Sequence, residues 1–305
     1  MAASGEQDMK IAFGDELTRR VERRASQLVL GLDPDPEHLW SSLPEPADAL
    51  REHCERVIAA AGPACVAVKP QLARFELFGA AGRLALGEAV DAAHAAGLLV
   101  IADGKRGDID VTARAYGQSL FGGAGPALAG LGADLATVNP LMGPDAVEPF
   151  VSEARAAGAG VLVLVRTSNP GAALIQDAQL ADGGTVWEAL AGLVDELGRG
   201  SAGECGLDDV GAVVGATVPA HLERARALMP RAAFLLPGIG VQGGRIEDLA
   251  PAFRPGRAGG LVSASRSIVN AHRDGGGAPE QAARAAAETL RESAWELSSA
   301  VLGAS

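Results

Sequence analysis

The sequence predicts an α/β chain folded as a single-domain (β/α)8 TIM barrel, with an N-terminal helix and surface insertions around it. Three observations carry this expectation. Short runs rich in Val, Leu, Ile and Ala recur eight times, segments of helical period lie between them, and each run ends on something polar. Apolar runs without strict alternation suit strands buried on both faces, as in parallel sheets. Strand–helix alternation repeated eight times with no strong linker is the pattern of a closed barrel. The whole of 1–305 then reads as one domain, with an N-terminal extension over 1–27 and a closing helix over 279–302.

The strands are expected near 28–33 (LVLGLD), 65–69 (CVAVK), 98–103 (LLVIAD), 134–138 (DLATV), 161–166 (VLVLVR), 211–216 (GAVVGA), 233–236 (AFLL) and 260–264 (GLVSA). Helical patterns fall over 46–61, 74–96, 111–121, 144–157, 185–198, 218–229 and 245–250. In the last helix Ala283, Ala286, Leu290, Ala294, Leu297 and Val301 step by three or four and form one apolar face. The Gly-rich pieces 198–206 and 274–279 read as surface excursions, and 170–187 as either a lid or an ordinary loop.

Composition narrows the function. Hydrophobic residues make up 48% of the chain but aromatics only 4%, so the core is aliphatic. A net charge of −12 argues against non-specific binding to nucleic acid or to an anionic membrane. An anionic ligand therefore needs a local positive site. The start, MAASGEQDMKIAFG, lacks a basic stretch followed by an apolar one, and no apolar run approaches the ~20 residues of a membrane span. A cytoplasmic location is expected. The three cysteines have no CxxC spacing and the five histidines no paired spacing, so no metal site is expected.

The strand ends carry Asp33, Lys69, Asp103 with Lys105, Asn139, Thr167 with Ser168, Thr217, the glycines of PGIG, and Ser265 with Arg266. In such barrels the C-terminal ends of the strands build the active site. The lysines stand out most. Only three of 26 basic residues are lysine, and two of them, Lys69 and Lys105, each follow an apolar run. An ammonium can give up a proton at a cost guanidinium cannot match. Two rare lysines beside aspartates point to chemistry.

The stretch LLPGIGVQGG contains Gly238-x-Gly240-x-x-Gly243, a formal dinucleotide fingerprint. It follows the seventh strand and lacks a ribose-binding acid at the expected distance, so phosphate binding by backbone N–H groups is the better reading. Arg266, in the eighth loop, can grip a phosphate bidentately, with Gln242 beside it. The expected substrate is a small phosphorylated molecule.

Seven pieces between 29 and 270 then occur in order: LGLDP, VKPQLARFE, DGKRGDIDVTARAYG, TVNPLMG, RTSNPGA, PGIGVQGG and SRSIV. Together they resemble the orotidine 5'-phosphate decarboxylase family, its longer bacterial subfamily more than the short archaeal type. The resemblance implies cofactor-free loss of CO2 from orotidine 5'-phosphate to give UMP in pyrimidine biosynthesis. It implies that Lys69, Asp103, Lys105 and Asp108 form a catalytic Lys–Asp–Lys–Asp array, with Lys105 as proton donor to C6. Asp33 would bind the ribose, and Ser168 the pyrimidine. Gln242 and Arg266 would bind the phosphate, with Pro237, Gly243 and Ser265 as further substrate contacts. Asp108, with Ile109 and Thr112, would reach the neighbouring subunit's site in a homodimer.

Two positions depart from the pattern. Arg74 stands where an apolar or aromatic residue is common, and Ser265 where short relatives have glycine. Two rival readings remain: a metal-dependent sugar-phosphate decarboxylase or synthase on the same barrel, and a nucleotide-binding protein without catalysis. The tripeptide Arg106-Gly107-Asp108 also matches an adhesion motif, but here it is a by-product of the array.

Overall fold

Each of the eight apolar runs becomes a strand in the computed structural model, which describes residues 11–303 apart from 124–127, 182, 217–218 and 239–243. The strands are β1 (Leu28–Leu32), β2 (Ala67–Pro70), β3 (Leu99–Arg106), β4 (Leu135–Val138), β5 (Gly160–Arg166), β6 (Val210–Val214), β7 (Phe234–Leu236) and β8 (Gly260–Ala264). Each pairs in parallel with the next, and β8 returns to β1 with Leu28 opposite Val262. This is a closed (β/α)8 barrel.

The aliphatic composition fills two layers. Val29, Ala67, Leu99, Ile101, Leu135, Leu162, Leu235 and Leu261 belong to the inner core. Leu30, Val68, Val100, Ala136, Val163 and Val214 belong to the outer one, against the helices. Neighbouring residues of one strand thus serve opposite faces, which explains runs with no polar alternation. The N-terminal helix Phe13–Arg24 sends Phe13, Leu17 and Val21 into the inner core.

Three expectations need correction. The single helix expected over 74–96 is two helices, Leu72–Glu76 and Gly79–Ala95. Gly79 opens the second at φ 59°, in the left-handed region that favours glycine. The expected helix at 245–250 is a 3₁₀ helix, Ile246–Phe253, with Pro251 inside it. In the last helix, Pro279–Gly303, Ala287 rather than Ala286 is buried, with Ala283, Ala294 and Ser298. Leu290, Leu297 and Val301 pack against the core as partly buried neighbours.

Candidate active site

Asp103 is the hub of the strand-end residues. It lies on β3, only 4% exposed, and Lys69 Nζ on β2 meets its Oδ2 at 2.5 Å. Lys105 Nζ meets the other oxygen, Oδ1, also at 2.5 Å. Thr137, on β4, donates its hydroxyl to Oδ1 at 3.0 Å, and Gln71 donates its amide to Oδ2 at 3.3 Å. Four side chains from three neighbouring strand ends thus converge on one carboxylate.

Strand order explains the convergence. β2 and β3 pair with Val68 opposite Val100, and a bridge between Gln71 and Asp103 extends that pairing to the barrel rim. Sequence reading ended the third strand at Asp103, with Lys105 beyond it. Instead β3 continues to Arg106 and carries a bulge between Ala102 and Arg106. Lys105 takes φ 45° there, a conformation that costs a non-glycine residue energy. Its backbone N–H donates to Thr137 Oγ1 at 2.9 Å, and its ammonium folds back on Asp103. Gly104 lies close to Leu72 at this bend: a Cβ there would stand 2.7 Å from Leu72 Cδ1 and push that side chain aside.

The electrostatics favour ionised groups. Burial alone would raise the Asp103 pKa, but the charges and hydrogen bonds of Lys69 and Lys105 outweigh it and hold the carboxyl at about 2. Burial likewise opposes charge on Lys69, yet Asp103 and then Asp33 overcome it and raise its pKa above the ordinary lysine value. Within one chain, two ammonium groups share one central carboxylate.

Two cavities open beside the array. One, of about 320 Å³, is lined by Asp33, Gln71, Arg74, Ser265 and Arg266 among others. Asp33 Oδ1 is buried with no hydrogen-bond partner among the described residues. Ser265 packs tightly over Gly31, where a Cβ would lie 2.6 Å from the serine Cβ. Arg266 is exposed at the start of the short helix Arg266–Val269. The second cavity, of about 580 Å³, has Lys105, Ser168 and Pro237 on its walls with apolar Leu164, Ile175 and Val213. One cavity is polar and charged; the other suits a flat, partly apolar ring.

The segment over 170–187 is tied to the end of β5. Arg166 donates to both carboxylate oxygens of Asp177, at 2.8 and 2.9 Å, and Gln176 Oε1 accepts the Thr167 N–H at 2.9 Å. Ile175 and Gln176 thereby line the same cavity as Lys105.

The array as expected from sequence is only partly assembled. Lys69, Asp103 and Lys105 are together, whereas Asp108 lies outside, its carboxylate accepting the N–H of Ile109 at 2.8 Å. Ile109 is 54% exposed, and Thr112 is exposed on the helix Asp110–Phe121. Gln242 and Gly243 lie outside the described residues, as does Thr217. Sequence reading missed Thr137 and Gln71, although both sit in the quoted pieces TVNPLMG and VKPQLARFE. Each stands two residues from a residue already singled out, Asn139 or Lys69, the spacing that keeps one face of a strand.

Comparison with known proteins fits this geometry. The family model described as "Orotidine 5'-phosphate decarboxylase / HUMPS family" matches residues 26–286. The chain belongs to this family. It is 43% identical over 289 residues to the orotidine 5'-phosphate decarboxylase of Deinococcus radiodurans, covering 93% of this chain and 97% of that one. To the enzyme of the same name from Rhodopirellula baltica it is 41% identical, covering 86% and 90%. The structure of Leishmania donovani OMP decarboxylase superposes with a TM-score of 0.74 at 33% identity, over 94% of this chain and 99% of that chain. The family match begins just before β1, so it takes in the barrel and leaves out the helix Phe13–Arg24.

Proposed function

We infer that this chain converts orotidine 5'-phosphate to UMP and CO2, and propose that Lys105 delivers the proton that replaces the carboxylate. The observation that carries the assignment is the Lys69–Asp103–Lys105 cluster at 2.5 Å contacts, set between a charged cavity and a more apolar one. The curated relatives, at 41% and 43% identity over most of the chain, bear the same activity in their names.

Breaking the C6–carboxylate bond leaves its electron pair in the plane of the pyrimidine, where the ring's π system cannot delocalise it. Placed charge must stabilise that carbanion-like centre. The Lys105 ammonium sits on the wall of the more apolar cavity and can do so. The electron pair then takes a proton from Nζ, a C–H bond forms, and CO2 departs. Lys105 regains its proton from solvent. Asp103 keeps both lysines oriented and holds Lys69 charged, and Ser168 and Pro237 line the space for the ring. Asp33 faces the ribose, while Arg266, Ser265 and the loop with Gln242 and Gly243 take the phosphate. Binding energy from that remote phosphate is available to the transition state.

Asp108 enters as the fourth charge from a second copy of the chain, accompanied by Ile109 and Thr112. Their exposure, and the single carboxylate between two ammonium groups, support this homodimer. No cofactor or metal is required by the chemistry as written, and one barrel domain suffices. Among the described residues no helix is long and apolar enough to cross a membrane. A cytoplasmic site of action accords with the substrate.

The test is loss of orotidine 5'-phosphate absorbance with purified protein, with and without a chelator. Turnover that survives the chelator supports the assignment. Turnover abolished by chelator and restored by a divalent cation favours the sugar-phosphate branch of the family.

A further inference from the structure

Arg74 is the departure that the catalytic reading leaves unused. It lies on the short helix Leu72–Glu76 that follows β2, and lines the charged cavity with Asp33, Ser265 and Arg266. It is half-buried, yet its guanidinium makes no hydrogen bond or ion pair with any described residue; only its backbone N–H is bonded, to the Gln71 carbonyl at 2.9 Å. Other half-buried arginines near the barrel mouth do. Arg166 is held by Asp177 and Arg106 by Glu76. A partly desolvated guanidinium without a partner is costly, because its donors are not replaced by protein acceptors.

Neither carboxylate of the cavity hydrogen-bonds Arg74, although, after the His38 hydrogen bond, the Arg74 charge helps to lower the Asp35 pKa. Asp33 faces the Lys69 ammonium, whose charge it helps to maintain. Asp35 is taken by His38 Nδ1 at 2.9 Å and by the Glu37 N–H at 3.2 Å. A third donor joins the two guanidinium groups. His53 is 4% exposed and accepts the Trp40 N–H on Nδ1 at 3.0 Å. Burial, then the Arg56 charge, lower its pKa to about 4, so near neutral pH it is uncharged and its proton rides on Nε2. That N–H has no partner among the described residues, and His53 lines the cavity. Two guanidinium groups and one imidazole N–H therefore face a space in which, among the described residues, the one buried, unpartnered acceptor is Asp33 Oδ1. Such a wall fits an anion with several oxygens attached to a hydroxyl-bearing body: a sugar phosphate.

We propose that Arg74 is a second phosphate-binding cation, which together with Arg266 selects the dianionic 5'-phosphate of the substrate. This rests on the functional reading above and adds to it a specificity residue at the β2 side of the mouth. Two guanidinium forks around one phosphate give geometric selection that a single one does not. The occupant is the substrate's own phosphate, not a separate effector.

The test compares Arg74→Leu, Arg74→Lys and Arg266→Ala on two substrates, orotidine 5'-phosphate and orotidine, which lacks the phosphate. Arg74→Leu is expected to raise KM for the phosphorylated substrate about tenfold, with kcat changed by less than about twofold. On orotidine its kcat/KM stays within about twofold of wild type, and Arg74→Lys recovers much of the lost affinity. Inhibition by inorganic phosphate weakens in parallel. An unchanged KM overturns the proposal, and so does an equal loss on both substrates, the mark of a structural role. A changed phosphate inhibition with an unchanged KM also overturns it, since the anion then sits apart from the substrate. Arg266→Ala separates the levels. If it discriminates between the substrates and Arg74→Leu does not, only the Arg74 assignment fails. If the wild type turns over neither substrate, the functional reading itself is what fails.

Discussion

The two ends of the barrel put their charged side chains to different uses. At the N-terminal end, Asp15, Arg20 and Arg24 of the helix Phe13–Arg24 reach backbone groups of the barrel, while Glu16 and Glu22 form ion pairs with Arg20 and Arg257. Asp15 accepts the N–H groups of Glu204 and Cys205 at 3.0 and 2.8 Å. Arg24 donates to the carbonyls of Cys65 and Gly62 at 2.5 and 2.9 Å, and Arg20 to that of Gly97 at 3.0 Å. These bonds fasten the helix across the barrel floor while Phe13, Leu17 and Val21 fill it. At the C-terminal end charge is held by charge around Asp103, and Arg74 and Arg266 are left facing a cavity. Lys105 also carries a strained φ there. One end spends its polar groups on stability, the other keeps them for a ligand, the division that barrel enzymes follow in general. If so, substitutions at the mouth and the floor have separable effects.

The largest effect is expected at Lys105. Lys105→Arg keeps a positive charge but replaces a donor able to release its proton with one whose pKa lies above ~12. Turnover should fall at least about 10³-fold, while UMP binding and thermal stability stay near wild type. Steady-state rates beside calorimetric titration of UMP measure both halves. Substantial turnover by this variant would remove Lys105 as donor.

The second effect concerns whether one mouth is complete. Inactive Lys105→Ala and Asp108→Ala proteins are mixed, dissociated and allowed to reassociate. Random pairing makes half of the dimers mixed, and each mixed dimer has one site with both changes and one with neither. Activity should then recover to about a quarter of wild type. Recovery no greater than the sum of the two variants, with subunit exchange verified by native mass spectrometry, would mean that Asp108 serves its own chain.

At the floor the expectation reverses. Leu17 is 1% exposed in the inner core, and Leu17→Ala should lower unfolding stability by about 4 kcal/mol through lost burial and a residual cavity. Below the melting range its kcat should match wild type. A large kcat loss in a folded Leu17→Ala protein would join the two ends and break the comparison.

Much of this division was legible in the chain before folding. Eight aliphatic runs specified the barrel, because burial on both faces leaves a simple hydrophobic signature. The scarcity of lysine marked Lys69 and Lys105, which meet at Asp103. Other features have no such signature. The bulge that turns Lys105 back depends on pairing with β4, and the contact of Thr137 with Asp103 depends on strands 34 residues apart in sequence. The break at Gly79 is a local conformational choice inside a helical pattern. The cavity around Arg74 depends on loops after β1, β2 and β8 meeting in space.

The smallest effect tests the rim beneath the charged cavity. The loop after β1 is held by His53 Nδ1, which accepts the Trp40 N–H, and by Arg56, which donates to the Trp40 carbonyl. Burial lowers the His53 pKa to about 4, below its unfolded value of about 6.5. The opened or unfolded state therefore binds the proton more readily than the native one. His53 contributes stability that is complete above pH ~6.5 and is lost as pH falls toward 4, some 3 kcal/mol in all, by about 1.4 kcal/mol per unit. Protonation also destroys the acceptor that Trp40 uses. Hydrogen exchange at the Trp40 amide should accelerate over this interval, after correction for the intrinsic pH dependence of exchange. The amide of Val21, on the floor helix, should keep its protection. His53→Asn, whose side-chain oxygen can replace Nδ1 as acceptor, should flatten the response at Trp40. If Trp40 and Val21 lost protection together in the wild type, acid would be unfolding the barrel as one unit, and rim and floor would not be separable in stability.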